Sequence, residues 1–250
     1  MQTWGLTDPG NIRQQNQDSY AIVPFGRDRV LMIVCDGMGG AKSGNVASSL
    51  AVEVFTDEVR RTQRPGMTPE KAAAMLRSAL ELSNSAVYEQ SQLSDDFTGM
   101  GTTLVAAWIS RDLAVVINVG DSRAYHFTRE DVRLITRDHS MVAYMVERGE
   151  LTQEQAKLHP GKNVITRAVG TEPEVEGDVF TCRLRRDECI LLCSDGLSNE
   201  MADQEMLFEV VHGLSKSDCC QRLVHTAQTP PRPRQRDRHA GGCLTGGRIG

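Results

Sequence analysis

Two runs of apolar and β-branched residues, Val30-Leu-Met-Ile-Val-Cys35 and Cys189-Ile-Leu-Leu-Cys193, lead into Asp-Gly pairs, Asp36-Gly37 directly and Asp195-Gly196 after Ser194. Short apolar runs closed by glycine read as buried strands, so each carboxylate is expected at the end of a rigid element. Residues 102–109 and 113–119 are two further strand-like runs, joined by a hairpin turn at Ser110-Arg-Asp112, and 123–127 with 132–135 make another pair. Residues 179–184 and 188–193 resume strand character. Val46, Leu50 and Val54 recur at helical spacing and predict a helix over 43–61. A second helix opens at Thr68-Pro69-Glu70, where Thr caps, Pro suits the first position and Glu favours the positive end, and runs to about Gln92. Shorter helices are predicted over 141–148, after Thr152, where Thr152-x-x-Gln155 has the capping-box pattern, and over 218–227. Strands and helices come in blocks rather than in strict alternation. That pattern predicts an α+β chain of antiparallel sheets flanked by helices, in one domain.

Composition narrows the function. The chain has 250 residues, 40% of them hydrophobic, and a formal charge of -5. There is no basic footprint for nucleic acid or an anionic membrane, and no apolar stretch long enough to span a bilayer, so a cytoplasmic protein with no nucleic-acid or membrane partner is expected. Seven cysteines lie scattered without a Cys-x-x-Cys pair. They read as reduced, mostly buried thiols.

The candidate acids are Asp18, Asp36, Asp121, Asp138 and Asp195, all but Asp138 beside a predicted strand or tight turn. Carboxylates without Cys or His companions make a hard, all-oxygen site suited to Mg²⁺ or Mn²⁺. Two such ions can lower the pKa of a water and hold a phosphoryl group in line with it, which implies phosphate-ester hydrolysis without a covalent enzyme intermediate. Arg13 could clamp phosphoryl oxygens in bidentate fashion. Taken singly, these residues also have ordinary structural readings: Arg13 as a solvated loop residue, Asp121 as a turn acid, Asp138-His139 as a loop cap. His139 is a candidate general acid. Cys35 and Cys193 sit inside apolar runs and read as inert. No Cys-x5-Arg loop, Gly-x-Ser-x-Gly elbow or P-loop is present.

Seven segments, in order, resemble the metal-dependent PP2C-type protein phosphatases in their compact bacterial form. They are Thr7-Asp-Pro-Gly-Asn-Ile-Arg-Gln-Gln-Asn-Gln-Asp18, Val34-Cys-Asp-Gly-Met-Gly-Gly40, Gly99-Met-Gly-Thr-Thr-Leu104, Asn118-Val-Gly-Asp-Ser-Arg-Ala-Tyr125, Thr136-Arg-Asp-His-Ser140, Asn163-Val-Ile-Thr-Arg-Ala-Val-Gly170 and Leu192-Cys-Ser-Asp-Gly-Leu197. The resemblance implies a sandwich of two antiparallel β-sheets flanked by helices on both outer faces. It implies two Mn²⁺ or Mg²⁺ ions, with Asp36 bridging them, the Gly37 carbonyl on one and Asp195 on the other. Asp18 then orients metal-bound water, Arg13 holds substrate phosphate, and Asp121 joins Asp195 at a third, weaker metal site. Residues 141–166 resemble the mobile flap beside the active site. The implied substrates are phosphoserine and phosphothreonine in proteins, opposing a cognate kinase, with a monomer as the default state. Met38 stands where many eukaryotic relatives carry a His thought to protonate the leaving group.

The phosphatase-like region is expected over 1–228, with an atypical Pro/Arg/Gly-rich tail over 229–250. Family members close with Gly-Gly-x-Asp-Asn-x-Thr and an apolar strand, its Asp a metal ligand. The written chain lacks that motif; Asp237 is without Asn and strand flanks. One reading is a disordered basic tail. The other is a shifted frame: with suitable codons, residues 232–242 read one base later as Gly-Arg-Asp-Asn-Val-Thr-Val-Met-Leu-Val-Val. The incomplete motif also raises an alternative function, a catalytically impaired module that binds phosphoproteins without turning them over.

Overall fold

In the computed structural model, which describes residues 1–10, 15–39, 43–213, 215 and 217–229, side chains that alternate in direction along apolar strands fall into three apolar layers. Strands β1 (Asp18–Pro24), β2 (Arg29–Met38), β4 (Leu104–Ser110), β5 (Leu113–Val119) and β8 (Asp178–Arg183) form an antiparallel sheet in the order β1-β2-β4-β5-β8. The two-residue β3 (Gly101–Thr102) pairs with β2. A second antiparallel sheet has the order β7-β6-β9, from β6 (Arg123–Phe127), β7 (Val132–Leu134) and β9 (Cys189–Cys193).

Along β2, Leu31, Ile33 and Cys35 pack under helices α1 (Ser43–Thr62) and α2 (Pro69–Ser91), while Val30, Met32 and Val34 face the other sheet. Along β9, Ile190 and Leu192 face the first sheet, and Leu191 and Cys193 join the cluster that includes Met206 and Leu223. Those two residues belong to α6 (Asp203–His212) and α7 (Cys219–Gln228). A strand buried on both faces needs an unbroken apolar run, which is why the period-2 signal is absent from these segments. The result is helices, sheet, sheet, helices, as the resemblance implies. The two short helices α3 (Met141–Glu147) and α4 (Gln153–Leu158) follow β7, and the predicted Thr152/Gln155 capping box forms.

Two expectations are corrected. Asp36-Gly37 does not end a strand: β2 continues to Met38, because β3 offers pairing through Gly37↔Thr102 and Met38↔Gly101. The predicted strand 102–109 is split at Thr103, whose N–H donates to the Asp36 carbonyl and whose Oγ1 accepts from the Asp36 N–H. Asp195 stands two residues past the end of β9, as expected, and opens the four-residue helix α5 (Asp195–Ser198). No described helix is long and apolar enough to cross a membrane. Of the described cysteines, Cys35, Cys182 and Cys193 are buried.

Candidate metal centre

Four of the predicted acids converge at one end of the sandwich, drawn from both sheets. Asp18 and Asp36 are direct Cα partners across the β1–β2 ladder. Like charges placed opposite each other on neighbouring strands are destabilising, so this register has a cost that something else must offset. The Asp36 carboxyl lies within hydrogen-bonding reach of both Asp18 and Asp195. Burial first, then the charges of Asp18 and Asp195, push its pKa up to about 9. Asp121, in the β5–β6 turn, is raised to about 6 by burial and then by Asp195 and Asp138. A carboxyl crowded until it holds its proton at neutral pH, as Asp36 is, is what a hard divalent cation relieves. The donor set, all oxygen, therefore fits Mn²⁺ or Mg²⁺. Among the described residues, no three His, Cys, Asp or Glu side chains close on a single point as a complete cage. Main-chain carbonyls such as that of Gly37, together with water, would have to complete any coordination shell.

Local structure explains how the acids are held. Ser194 is the N-cap of α5 but makes no side-chain cap bond; its hydroxyl donates instead to Asp18 Oδ2 at 2.8 Å. A helix cap is diverted to aligning a carboxylate. The Asp18 N–H donates to Asn16 Oδ1, and Asn199 Nδ2 donates to Asp195 Oδ2. Gly37 is required by close approach, since a Cβ there would lie 1.9 Å from the Gly44 carbonyl oxygen at the start of α1. The Asp121 turn is buttressed twice: Thr103 Oγ1 and Ser122 Oγ share a 2.6 Å hydrogen bond, and the Gly120 N–H donates to His139 Nδ1.

That bond puts the proton of neutral His139 on Nε2, which faces Asp178 at 3.3 Å. Burial, then the Arg167 charge, lower its pKa. With both ring nitrogens engaged, His139 is a support rather than the general acid its sequence position suggested. Asp138 forms a bidentate ion pair with Arg123 in place of the loop cap its structural reading offered. Burial and the charges of Asp18 and Asp36 raise the Cys35 thiol, consistent with an inert core residue. Arg13 and the 230–250 segment, with Asp237 and the absent Asp-Asn motif, lie outside the described residues. Lys162, not singled out from the sequence, and Asn163, the first residue of one of the seven segments, reach the wall of the groove that holds Asp18, Asp36 and Asp195. Both lie in the 141–166 stretch, and the residue type of Lys162 alone gave no signal.

The sequence matches protein phosphatase 2C over residues 12–225. The chain belongs to the protein phosphatase 2C family. The serine/threonine phosphatase stp of Listeria monocytogenes is 38% identical over 200 residues, 80% of this chain and 79% of that protein. Protein phosphatase PhpP of Streptococcus pneumoniae is 34% identical over 222 residues, 89% of each. Among solved structures, serine/threonine phosphatase Stp1 from Staphylococcus aureus superposes with a TM-score of 0.82 at 34% identity, covering 89% of this chain and 87% of that one. The catalytic domain of serine threonine protein phosphatase PstP, solved in complex with 2 manganese ions, gives a TM-score of 0.74 at 30% identity over 88% of each chain. The α+β sandwich is thus that of bacterial members of the protein phosphatase 2C family, whose activity is metal-dependent.

Proposed function

We infer that this chain is a metal-dependent protein serine/threonine phosphatase that hydrolyses phosphoserine and phosphothreonine in phosphorylated proteins. The observation that carries the reading is the buried Asp36 carboxyl, held between Asp18 and Asp195 in a protein phosphatase 2C chain. Asp36, the Gly37 carbonyl and Asp195 are the proposed ligands of two Mn²⁺ or Mg²⁺ ions, with Asp121 and Asp195 at a third. When bound, such ions supply positive charge that acidifies water and attracts a phosphoryl group. Asp18, aligned by Ser194, orients the attacking water and accepts its hydrogen bond. Arg13 is proposed to hold phosphoryl oxygens. Lys162 and Asn163, on the groove wall, bring residues 141–166 beside the same opening and support their reading as a flap. With Met38 in place of a His and His139 occupied, water protonates the departing serine or threonine oxygen.

The proposed phosphatase domain spans 1–228, ending with α7 at Gln228. Its proposed setting is the cytoplasm, as a monomer, with a cognate serine/threonine kinase and that kinase's substrates as partners. The reading is tested by phosphothreonine-peptide hydrolysis in Mn²⁺. The wild-type chain should exceed Asp36→Ala and Asp195→Ala by about a hundredfold or more, and EDTA should abolish the difference. Equal rates in all three would refute it. Saturable phosphopeptide binding without turnover would support the binding-module alternative.

A further inference from the structure

Asp121 lies on the segment that crosses from β5 in the first sheet to β6 in the second, and one side chain of the first sheet holds both of its chain neighbours. That side chain belongs to Thr103, at the break between β3 and β4. Its Oγ1 shares the 2.6 Å hydrogen bond with Ser122, and a Cβ built at Gly120 would stand 2.6 Å from its methyl carbon. Gly120 also has a φ of 97°, so the turn requires glycine on both counts. The same Thr103 closes on residue 36: its N–H donates to the Asp36 carbonyl and its Oγ1 accepts from the Asp36 N–H, both at 2.9 Å. A continuous chain of contacts therefore runs from the Asp36 backbone, through Thr103, to the two residues that flank Asp121.

Both halves of the threonine side chain are used. The hydroxyl must accept from the Asp36 N–H and bond Ser122 at the same time, which valine cannot do. The methyl covers Gly120, which serine leaves bare. Thr103 is 3% exposed and Ser122 fully buried, so bulk water does not stand ready to replace either hydroxyl. The bonds between Gly120 and His139 hold the same turn to the base of the 141–166 stretch, not to Asp36. We propose, resting on the reading of Asp121 and Asp195 as ligands of a third cation, that Thr103 is a positioning residue. Through Ser122 and Gly120 it fixes Asp121 relative to Asp36, and so sets the affinity of the Asp121 cation site.

The test counts Mn²⁺ bound to the full chain, without substrate, from the loss of the free-ion electron paramagnetic resonance signal. Wild type should show a tight class and a weaker class, and Asp121→Asn should lose the weaker one. Ser122→Ala and Thr103→Val should each weaken that class by about tenfold or more, the scale expected when a group that orients a metal ligand is removed, and Ser122→Ala should leave the tight class unchanged. The double variant should bind no more weakly than Thr103→Val, because the bond to Ser122 is already lost there. Thr103→Ser keeps the hydroxyl and should hold the weaker class near its wild-type affinity while melting at a lower temperature; a side chain that only fills space would give the reverse ranking of serine and valine. Ser122→Ala leaves the Asp36 N–H its partner, so it decides the matter even where Thr103→Val fails to fold. Wild-type affinity in Ser122→Ala, a double variant whose loss is the product of the two single losses, or lost affinity in Thr103→Ser would overturn the proposal. A wild type without an Asp121-dependent class would instead refute the reading of that acid as a ligand, and the positioning role with it.

Discussion

Replacing Asp36 by Asn should make the metal-free protein more stable at neutral pH. Asp36 is buried against Asp18 and Asp195, and its folded-state pKa is raised to about 9 from an ordinary 3.8. An acid raised in this way favours the folded state most at low pH. Above 3.8 the unfolded chain releases the proton while the folded chain retains it, so stability falls by about 1.4 kcal/mol per pH unit until the folded value is passed. By pH 7 this one group has removed roughly 4 kcal/mol, a large share of the stability of an ordinary domain. Asparagine keeps the shape without the ionisation. Urea unfolding in EDTA at pH 5, 6, 7 and 8 should show wild type losing stability with that slope, while Asp36→Asn is flatter and more stable at pH 7. Mn²⁺ should reverse the ranking, and calorimetry in buffers of different ionisation heat should show wild type releasing protons as the metal binds. Parallel pH slopes for the two proteins in EDTA would refute the reasoning.

Other perturbations read other parts of the site. Ser194→Ala removes the hydroxyl that aligns Asp18; Mn²⁺ affinity from activity titrations should fall about tenfold with little change in melting temperature, and Ser194→Thr should restore it. Gly37→Ala drives a methyl into the Gly44 backbone and should cost on the order of 3 kcal/mol or more in chemical denaturation. Arg123→Met strands the largely buried Asp138 carboxylate, with an expected loss of about 3–5 kcal/mol, much of it recovered in the double variant with Asp138→Leu. An additive double mutant would show that the pair is not coupled.

Local pattern carried much of the fold because the elements with clear periodicity are also the ones closed by local chemistry. The 43–61 helix is observed as Ser43–Thr62, and Thr68 caps α2 by accepting from the Lys71 N–H. The hairpin at 110–112 forms with Arg111 at a φ of 56°. What pattern missed depends on distant partners. β1 was not foreseen, since at the sheet edge its residues alternate only weakly between core and solvent and its register comes from β2. Helix α6, with the single buried residue Met206, left little apolar stripe to detect. Individual carboxylates were legible as candidates, but their grouping was not. That Ser194 would serve Asp18 rather than cap its own helix follows from a contact spanning 176 residues.

The supply of carboxylates from both sheets has a kinetic consequence. Asp18 and Asp36 meet across one hairpin, a local event, whereas Asp195 arrives only when the second sheet docks on the first. Loop closure over such a separation comes late in folding, so the cluster is assembled after the transition state for forming either sheet alone. A cation bound between the sheets then acts as a latch. It lengthens the lifetime of the docked state by slowing separation, and leaves the rate of reaching it nearly unchanged.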